Sequence, residues 1–291
     1  MAASKIEVRK INPVLGAEIH GVDLAQDLSD ETIAVIRRAL LDNLVIFFRD
    51  QKIDYEQHKA FGRRFGALHV HPRAPSPEGH PELLVIHADE KSKRVAGQGW
   101  HSDVSCDQEP PLGSILHLTQ VPETGGDTLF ANMYAAYEAL SEPMRDFLRE
   151  RTAVHESAHV YRGSYYDKTT GARDEQPSAE HPVVRTHPET GRQALFVNSG
   201  FTTRIVGLTR DESRALLDFL FRHIERPELQ VRFQWRPSSI AFWDNRCTQH
   251  YAIFDYWPQL RHGVRVTVAG DRPFYREADL TTRKLASTRP R

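Results

Sequence analysis

Leu229-Gln-Val-Arg-Phe-Gln-Trp235 is the stretch that decides the fold class. Apolar Leu229, Val231, Phe233 and Trp235 alternate with polar Gln230, Arg232 and Gln234, the period-two pattern of a half-buried strand. Ser239–Asp244 follows as another strand, and Val264, Val266 and Val268 alternate with Arg265 and Thr267 in a third. Working outward, Leu44-Val-Ile-Phe-Phe48 reads as a fully buried strand. Leu83–His87, Ser114–Thr119, Asp127–Ala131, Val183–Thr186 and Gln193–Asn198 read as further short strands. Helices fall into a few blocks. Ser29 caps one that carries Ile33, Ile36 and Leu40, residues 54–65 form another, and residues 132–150 are helical with a break near Pro143. Thr209 with Glu212 makes a capping box for a helix running to Pro227. Many short strands with few helical blocks predict a mainly β fold, a double-stranded β-helix (jelly roll, cupin-like) with peripheral α-helices. A parallel α/β fold fits less well, because the strands are short and alternating and no Gly-rich phosphate turn follows any of them.

The chain of 291 residues shows no repeat, low-complexity tract or Gly/Ser linker, so a single domain over 1–291 is expected, with a core at about 5–275 and a tail at 276–291. Apolar residues make up 40% and charged residues 26%, and the net charge is -1, which gives no concentrated basic surface and no case for nucleic acid. Two cysteines, Cys106 and Cys247, are too few for a disulfide framework and point to a reducing compartment. The first ten residues hold no apolar signal core, and the longest apolar run near the start, Leu44–Phe48, is far short of a membrane span. A cytoplasmic protein with no membrane partner is expected. The polar stretch of about 163–182 reads as a long excursion of the kind that serves as a lid.

Chemistry concentrates in two places. Trp100-His101-Ser102-Asp103 holds a His-x-Asp triplet, and alternation along an extended segment puts its two side chains on one face. Alone this triplet is common by chance. Far along the chain, Trp243-Asp244-Asn245-Arg246-Cys247-Thr248-Gln249-His250 supplies a second imidazole, and Arg261 lies eleven residues beyond it. His101, Asp103 and a distant histidine would give two imidazoles and one carboxylate. That set leaves one side of an octahedral iron(II) open to a chelating co-substrate and O2. Structural zinc sites fill their positions with cysteine and histidine, and the two cysteines here are not spaced as ligands.

Trp-His-x-Asp at 100–103, Gly-Gly-Asp-Thr at 125–128, Trp-Asp-Asn-x-x-x-x-His at 243–250 and the Arg-x-x-x-Arg pair at 261 and 265 together resemble the taurine dioxygenase (TauD/TfdA) family. Leu195-Phe-Val-Asn-Ser-Gly-Phe-Thr-Thr203 and Gly270-Asp271-Arg272-Pro273-Phe274-Tyr275 extend the resemblance over roughly residues 5–275. The resemblance implies a non-haem iron(II) dioxygenase that consumes 2-oxoglutarate and O2 and releases succinate and CO2. His101, Asp103 and His250 would hold the metal. Arg261 would pair with the distal carboxylate of 2-oxoglutarate, with Thr128 donating a hydroxyl to it. The retained Asp103 favours hydroxylation over halogenation. A dimer or tetramer is also implied.

The same resemblance places His71 and Arg265 at an anion of the primary substrate and Phe201 on an aromatic wall. Arg261 and Arg265 share strand parity and lie about 13 Å apart on an extended chain, so one strand face can serve two anions. Where the family's namesake has a tyrosine and an asparagine, this chain has Ala74 and Gly97. Taurine's amine would lose partners there, so the expected substrate is a larger or less polar small anion: a sulfonate, an alkyl sulfate or a carboxylic acid. A zinc hydrolase on the same ligands would call for a His-Glu-x-x-His helix or a general-base glutamate, and neither is evident. A non-catalytic jelly-roll binding protein would tolerate loss of Arg261 or a ligand, yet all are present.

Overall fold

Val45–Phe48 (β3) shows why the strands alternate so little in the middle of the chain: all four of its residues are buried. Val45 and Phe47 face one apolar core, and Ile46 and Phe48 face another. A strand covered on both sides needs apolar residues at every position. Ser239–Asp244 (β13) repeats the pattern, with Ala241 and Trp243 in the first core and Ile240 and Phe242 in the second.

The computed structural model describes residues 6–71, 75–161 and 176–277. Ala74, residues 163–175 of the expected excursion and the tail from 278 onward lie outside the described residues. The first part of the chain carries β1 (Glu7–Lys10), β2 (Ala17–His20), α1 (Asp30–Asn43), β3, α2 (Tyr55–Arg63), β4 (Leu83–Ala88), β5 (Gly113–Gln120) and β6 (Thr128–Asn132). Next come α3 (Met133–Glu138), α4 (Glu142–Arg149), β7 (Thr152–Glu156), α5 (Ala158–Tyr161), β8 (Ser178–Pro182), β9 (Val184–Thr186), β10 (Gln193–Leu195) and β11 (Thr202–Ile205). Last are α6 (Arg210–Ile224), β12 (Gln230–Phe233), β13, β14 (Thr248–Ala252) and β15 (Arg261–Val268).

A seven-stranded sheet runs β1-β2-β3-β13-β5-β15-β4, and a three-stranded sheet runs β12-β6-β14. The two face each other across the first core. Phe47 of the large sheet stacks on Phe233 of the small one with ring centres 3.8 Å apart, and Phe130 closes on Phe47 edge-on. α1 and α2 cover the outer face of the large sheet through Ile36, Leu40 and Phe61, joined by Phe65 just beyond the end of α2. This is the expected mainly β jelly-roll architecture with peripheral helices, not a parallel α/β fold: the large sheet's one parallel pairing joins β2 to β3. Among the described residues, no helix is long and apolar enough to cross a membrane.

Local signals behave as their chemistry dictates. Ser29 accepts from the Thr32 amide, and Thr209 and Glu212 form the reciprocal capping box. Two sequence expectations are corrected. The helix expected to reach Pro227 ends at Ile224, and Pro227 opens a 3-10 turn through Leu229, because proline lacks the N–H that would continue the helix. The end of the 163–182 excursion is not a loop: residues 178–182 form β8 and pair with β7 in antiparallel register, satisfying their backbone groups there.

Two buried histidines bear on stability. His58 on α2 donates from Nε2 to the Ile115 carbonyl at 3.0 Å, and His155 on β7 has Nδ1 3.0 Å from Ser105 Oγ. Burial first, then a neighbouring imidazole (His117 or His181), pushes each down to about 3 from 6.5. The unfolded chain takes up these protons first, so stability is complete above pH 6.5 and is lost as pH falls from there toward 3. Each group steepens the loss by ~1.4 kcal/mol per pH unit inside that window. His58→Gln should therefore reduce the slope of unfolding free energy between pH 5.5 and 4 by about one proton. Urea titrations at several pH values measure it, and an unchanged slope would place the acid sensitivity elsewhere.

Candidate metal centre

The centre lies between the two sheets. His250 stands on β14, opposite Phe130 of β6. His101 forms an isolated bridge to it, with reciprocal amide–carbonyl bonds of 3.2 and 2.9 Å. These bonds join the two distant ligand segments residue to residue, and the imidazole centres lie 4.1 Å apart. Asp103 Oδ1 is 3.8 Å from His101 Nε2 and 3.9 Å from His250 Nε2. One donor atom from each of the three residues lies within 4.8 Å of the others.

The donor set fits a divalent metal. His101 Nδ1 donates to the Gly99 carbonyl at 2.9 Å, which fixes the tautomer and leaves Nε2 with a free lone pair. Burial pushes both imidazoles toward the neutral, ligating form. Burial opposes ionisation of Asp103, but Arg265, His250 and His101 outweigh it and hold the carboxyl below the usual carboxylate range. Two neutral imidazoles and one carboxylate are the set expected from the sequence.

Asp103 is the most constrained of the three. Its Oδ2 accepts from Ser114 Oγ at 2.8 Å. Its amide donates to Asn245 Oδ1 at 2.7 Å, and its carbonyl accepts from Asn245 Nδ2 at 3.0 Å. Asn245 also donates to the Pro111 carbonyl at 3.2 Å, so both ends of its amide are used. The turn that presents Asn245 is fixed by Asp244, whose fully buried carboxylate accepts from Arg246 at 2.8 and 2.6 Å and lies 3.0 Å from His187 Nε2. His187, Asp244 and Cys247 form a second convergent group of donor types. Its carboxylate is already committed to Arg246, and burial raises the Cys247 thiol well above its ordinary value, so this group is a structural anchor.

β15 carries both arginines. Arg261 is buried, donates from Nε to the Gly126 carbonyl at 3.2 Å and lies over Trp235 at 5.6 Å. Burial lowers its pKa, and among the described residues no carboxylate lies within ion-pair distance of it. A buried guanidinium with no carboxylate beside it has the fork of donors that suits one. Thr128 stands beside this region, its Oγ1 accepting from Trp235 Nε1 at 3.0 Å. Arg265 reaches the metal centre: its Nη1 lies 2.6 Å from Asp103 Oδ1, the oxygen that also faces both imidazoles.

The remaining expected residues are near but less direct. Phe201 is buried against Val104 and Cys106, on the segment that follows Asp103. His71 lines a small cleft with His69, Glu82 and Thr267. His69, the other member of the His-x-His run at 69–71, interacts electrostatically with Arg265 and Asp103. Gly97 has φ +81°, and a Cβ there would lie 3.2 Å from His101 Cε1 and 3.7 Å from His101 Nε2. Sequence reasoning gave no role to Ser114, His69 or Trp235. Asn245 was visible only as a motif letter, and no local signal marks the others.

Known proteins share this chain's sequence pattern and fold. Residues 7–267 match the model of the family described as "Taurine catabolism dioxygenase TauD, TfdA family". An alpha-ketoglutarate-dependent sulfonate dioxygenase of Saccharomyces cerevisiae is 36% identical over 92% of this chain and 68% of its own. An alpha-ketoglutarate-dependent sulfate ester dioxygenase of Pseudomonas putida is 36% identical over 97% and 96%. The crystal structure of a taurine dioxygenase from Burkholderia xenovorans superposes with a TM-score of 0.81 at 40% identity, covering 93% of each chain.

Ser114→Ala should leave the fold intact and weaken metal binding by roughly 10–100-fold, because it frees the carboxylate oxygen that sets the Asp103 rotamer. Manganese(II) titration of the metal-free protein reads the affinity, and circular dichroism checks the fold. Wild-type affinity would show that Ser114 does not orient the ligand.

Proposed function

We propose, because this chain belongs to the TauD/TfdA dioxygenase family, that its site hydroxylates a sulfate ester or sulfonate with a longer or less polar chain than taurine. The observation that carries this is Gly97. Its α-carbon faces the imidazole edge of His101, and any side chain there would enter the space next to Nε2. The position offers a small amine no polar partner and leaves room for a hydrocarbon chain. The names of the sulfonate and sulfate ester dioxygenases among its relatives point the same way.

His101, Asp103 and His250 would hold iron(II). When bound, the metal with 2-oxoglutarate and O2 supplies the oxidising power, and the protein's residues do the rest. The planar guanidinium of Arg261 grips the far carboxylate of 2-oxoglutarate, with the Thr128 hydroxyl beside it and Trp235 walling the pocket. Arg265 would exchange Asp103 for the anionic head of the substrate, with His71 nearby. Phe201 and Val104 exclude water from the reacting carbon. Hydroxylation of the carbon that bears a sulfate or sulfonate gives a product that collapses with release of sulfate or sulfite.

Arg261→Ala should raise the 2-oxoglutarate requirement roughly tenfold or more, the loss of a charge-assisted pair. Arg265→Ala should raise the requirement for the sulfate or sulfonate substrate instead. Steady-state kinetics with each substrate varied in turn separate the two, and a shift in the same substrate for both variants would refute this division.

A panel of taurine, longer alkanesulfonates, alkyl sulfates and carboxylic acids, with iron(II) and 2-oxoglutarate and succinate measured, tests the substrate class. Alkyl sulfates or long sulfonates should give the highest kcat/KM, and Gly97→Asn should depress them relative to taurine. Fastest turnover of taurine by the unmodified chain would overturn the reading.

A further inference from the structure

Away from the triad, β4 and β15 set two imidazoles side by side. His87 and His262 are direct partners in the antiparallel register, and their Nδ1 atoms are hydrogen-bonded at 3.2 Å, one ring donating to the other, so a bound metal would take the place of that shared proton. His262 has the strand parity of Val264 and Val266, opposite to that of Arg261 and Arg265. The β15–β5 pairing shifts register between His262 and Gly263, the kind of irregularity that re-aims a side chain. β4 is the last strand of its sheet, and the His87 side chain is 45% exposed, so the pair is open to solvent.

The separation matches a chelate. Two nitrogens each about 2.0–2.1 Å from one ion, and as far apart as these, subtend roughly 100° at it, between the tetrahedral and octahedral angles. A second, independent feature fits the same purpose. Asp89 Oδ2 lies 3.5 Å from His87 Nε2, on the far side of the ring. The other Asp89 oxygen accepts from the Lys91 amide at 2.9 Å and from Ser92 Oγ at 3.1 Å, so the carboxylate is held in place by its own turn. A carboxylate at Nε2 draws the ring proton there and leaves the Nδ1 lone pair for a metal, the carboxylate–histidine–metal arrangement. Burial first, then His87, lowers the pKa of His262 and favours the neutral ring.

We propose that His87 and His262 form a second metal site that takes a late first-row divalent ion, zinc(II), copper(II) or nickel(II), with Asp89 orienting His87 from outside the coordination shell. Two imidazoles with water in the remaining positions favour these ions over iron(II) and manganese(II) in the affinity order of divalent metals. The site stands apart from the dioxygenase reading and does not depend on it.

Zinc(II) titrated calorimetrically into the metal-free protein should show two classes of site. His87→Asn and His262→Asn should each abolish one class and leave the other. Both variants should keep succinate formation after reconstitution with iron(II). Asp89→Asn should weaken the same class roughly tenfold while both imidazoles remain. Copper(II) added to the unmodified chain should give electron paramagnetic resonance couplings from two imidazole nitrogens that are lost in either histidine variant, which reads the site even if a variant loses stability. One class of zinc site in the unmodified chain, or a second class that survives both histidine variants, would overturn the proposal. Loss of the other class on replacing His101 concerns the triad alone, so the two assignments fail separately.

Discussion

The paired hydrogen bonds between the Asn245 side chain and the backbone of Asp103 hold the centre together, because they tie the turn that leads into β14 and His250 to the loop that carries His101 and Asp103. The bonded segments are 142 residues apart in the chain. Neither could hold a donor position against the other by local structure alone. The amide and carbonyl of Asp103 are buried, and leaving them unmade costs about 1–3 kcal/mol per group, so the clamp is strongly preferred once the core closes. The reciprocal bridge between His101 and His250 adds the second point of attachment. Two attachments fix both the separation and the orientation of the three donor side chains.

The clamp rests on Asp244. A fully buried carboxylate is costly unless paired, and Arg246 grips it with two hydrogen bonds while Glu189 holds Arg246 in turn at 2.8 Å. Such a network has few alternative arrangements, so it specifies one shape for the β13–β14 turn. That shape aims Asn245 at Asp103 and starts β14 in the register that brings His250 to the centre. The Asp and Asn of the Trp-Asp-Asn motif thus divide the labour: one fixes the turn, the other transmits it to the ligand loop.

β15 solves a different problem. Its valines pack toward α2 and the outer face, and its arginines point into the space between the sheets. Guanidinium groups are tolerated there because each meets an acceptor within the chain, Arg265 at Asp103 and Arg261 at the Gly126 carbonyl. Arg265 meets the oxygen of Asp103 that also faces both imidazoles, so the placement of this one guanidinium bears on the charge at the centre.

The alternation of 229–235 and 264–268, the doubly apolar run at 44–48 and the caps at Ser29 and Thr209 were legible in the sequence, because periodicity and capping are local properties. So were the residue types of the centre, since a His-x-Asp with a distant His and an Arg-x-x-x-Arg on one strand face are patterns of type and parity. What the tertiary structure alone decided is who meets whom. Ser114 is an ordinary strand serine until the β5–β15 and β5–β13 registers place it under Asp103. His69 meets Arg265 and Asp103 only in the folded chain, and His87 becomes His262's neighbour only through the pairing of an edge strand formed far earlier in the chain. Strand order and register are set by the summed burial of two cores. That sum is a property of the whole chain in three dimensions, and no window of sequence contains it.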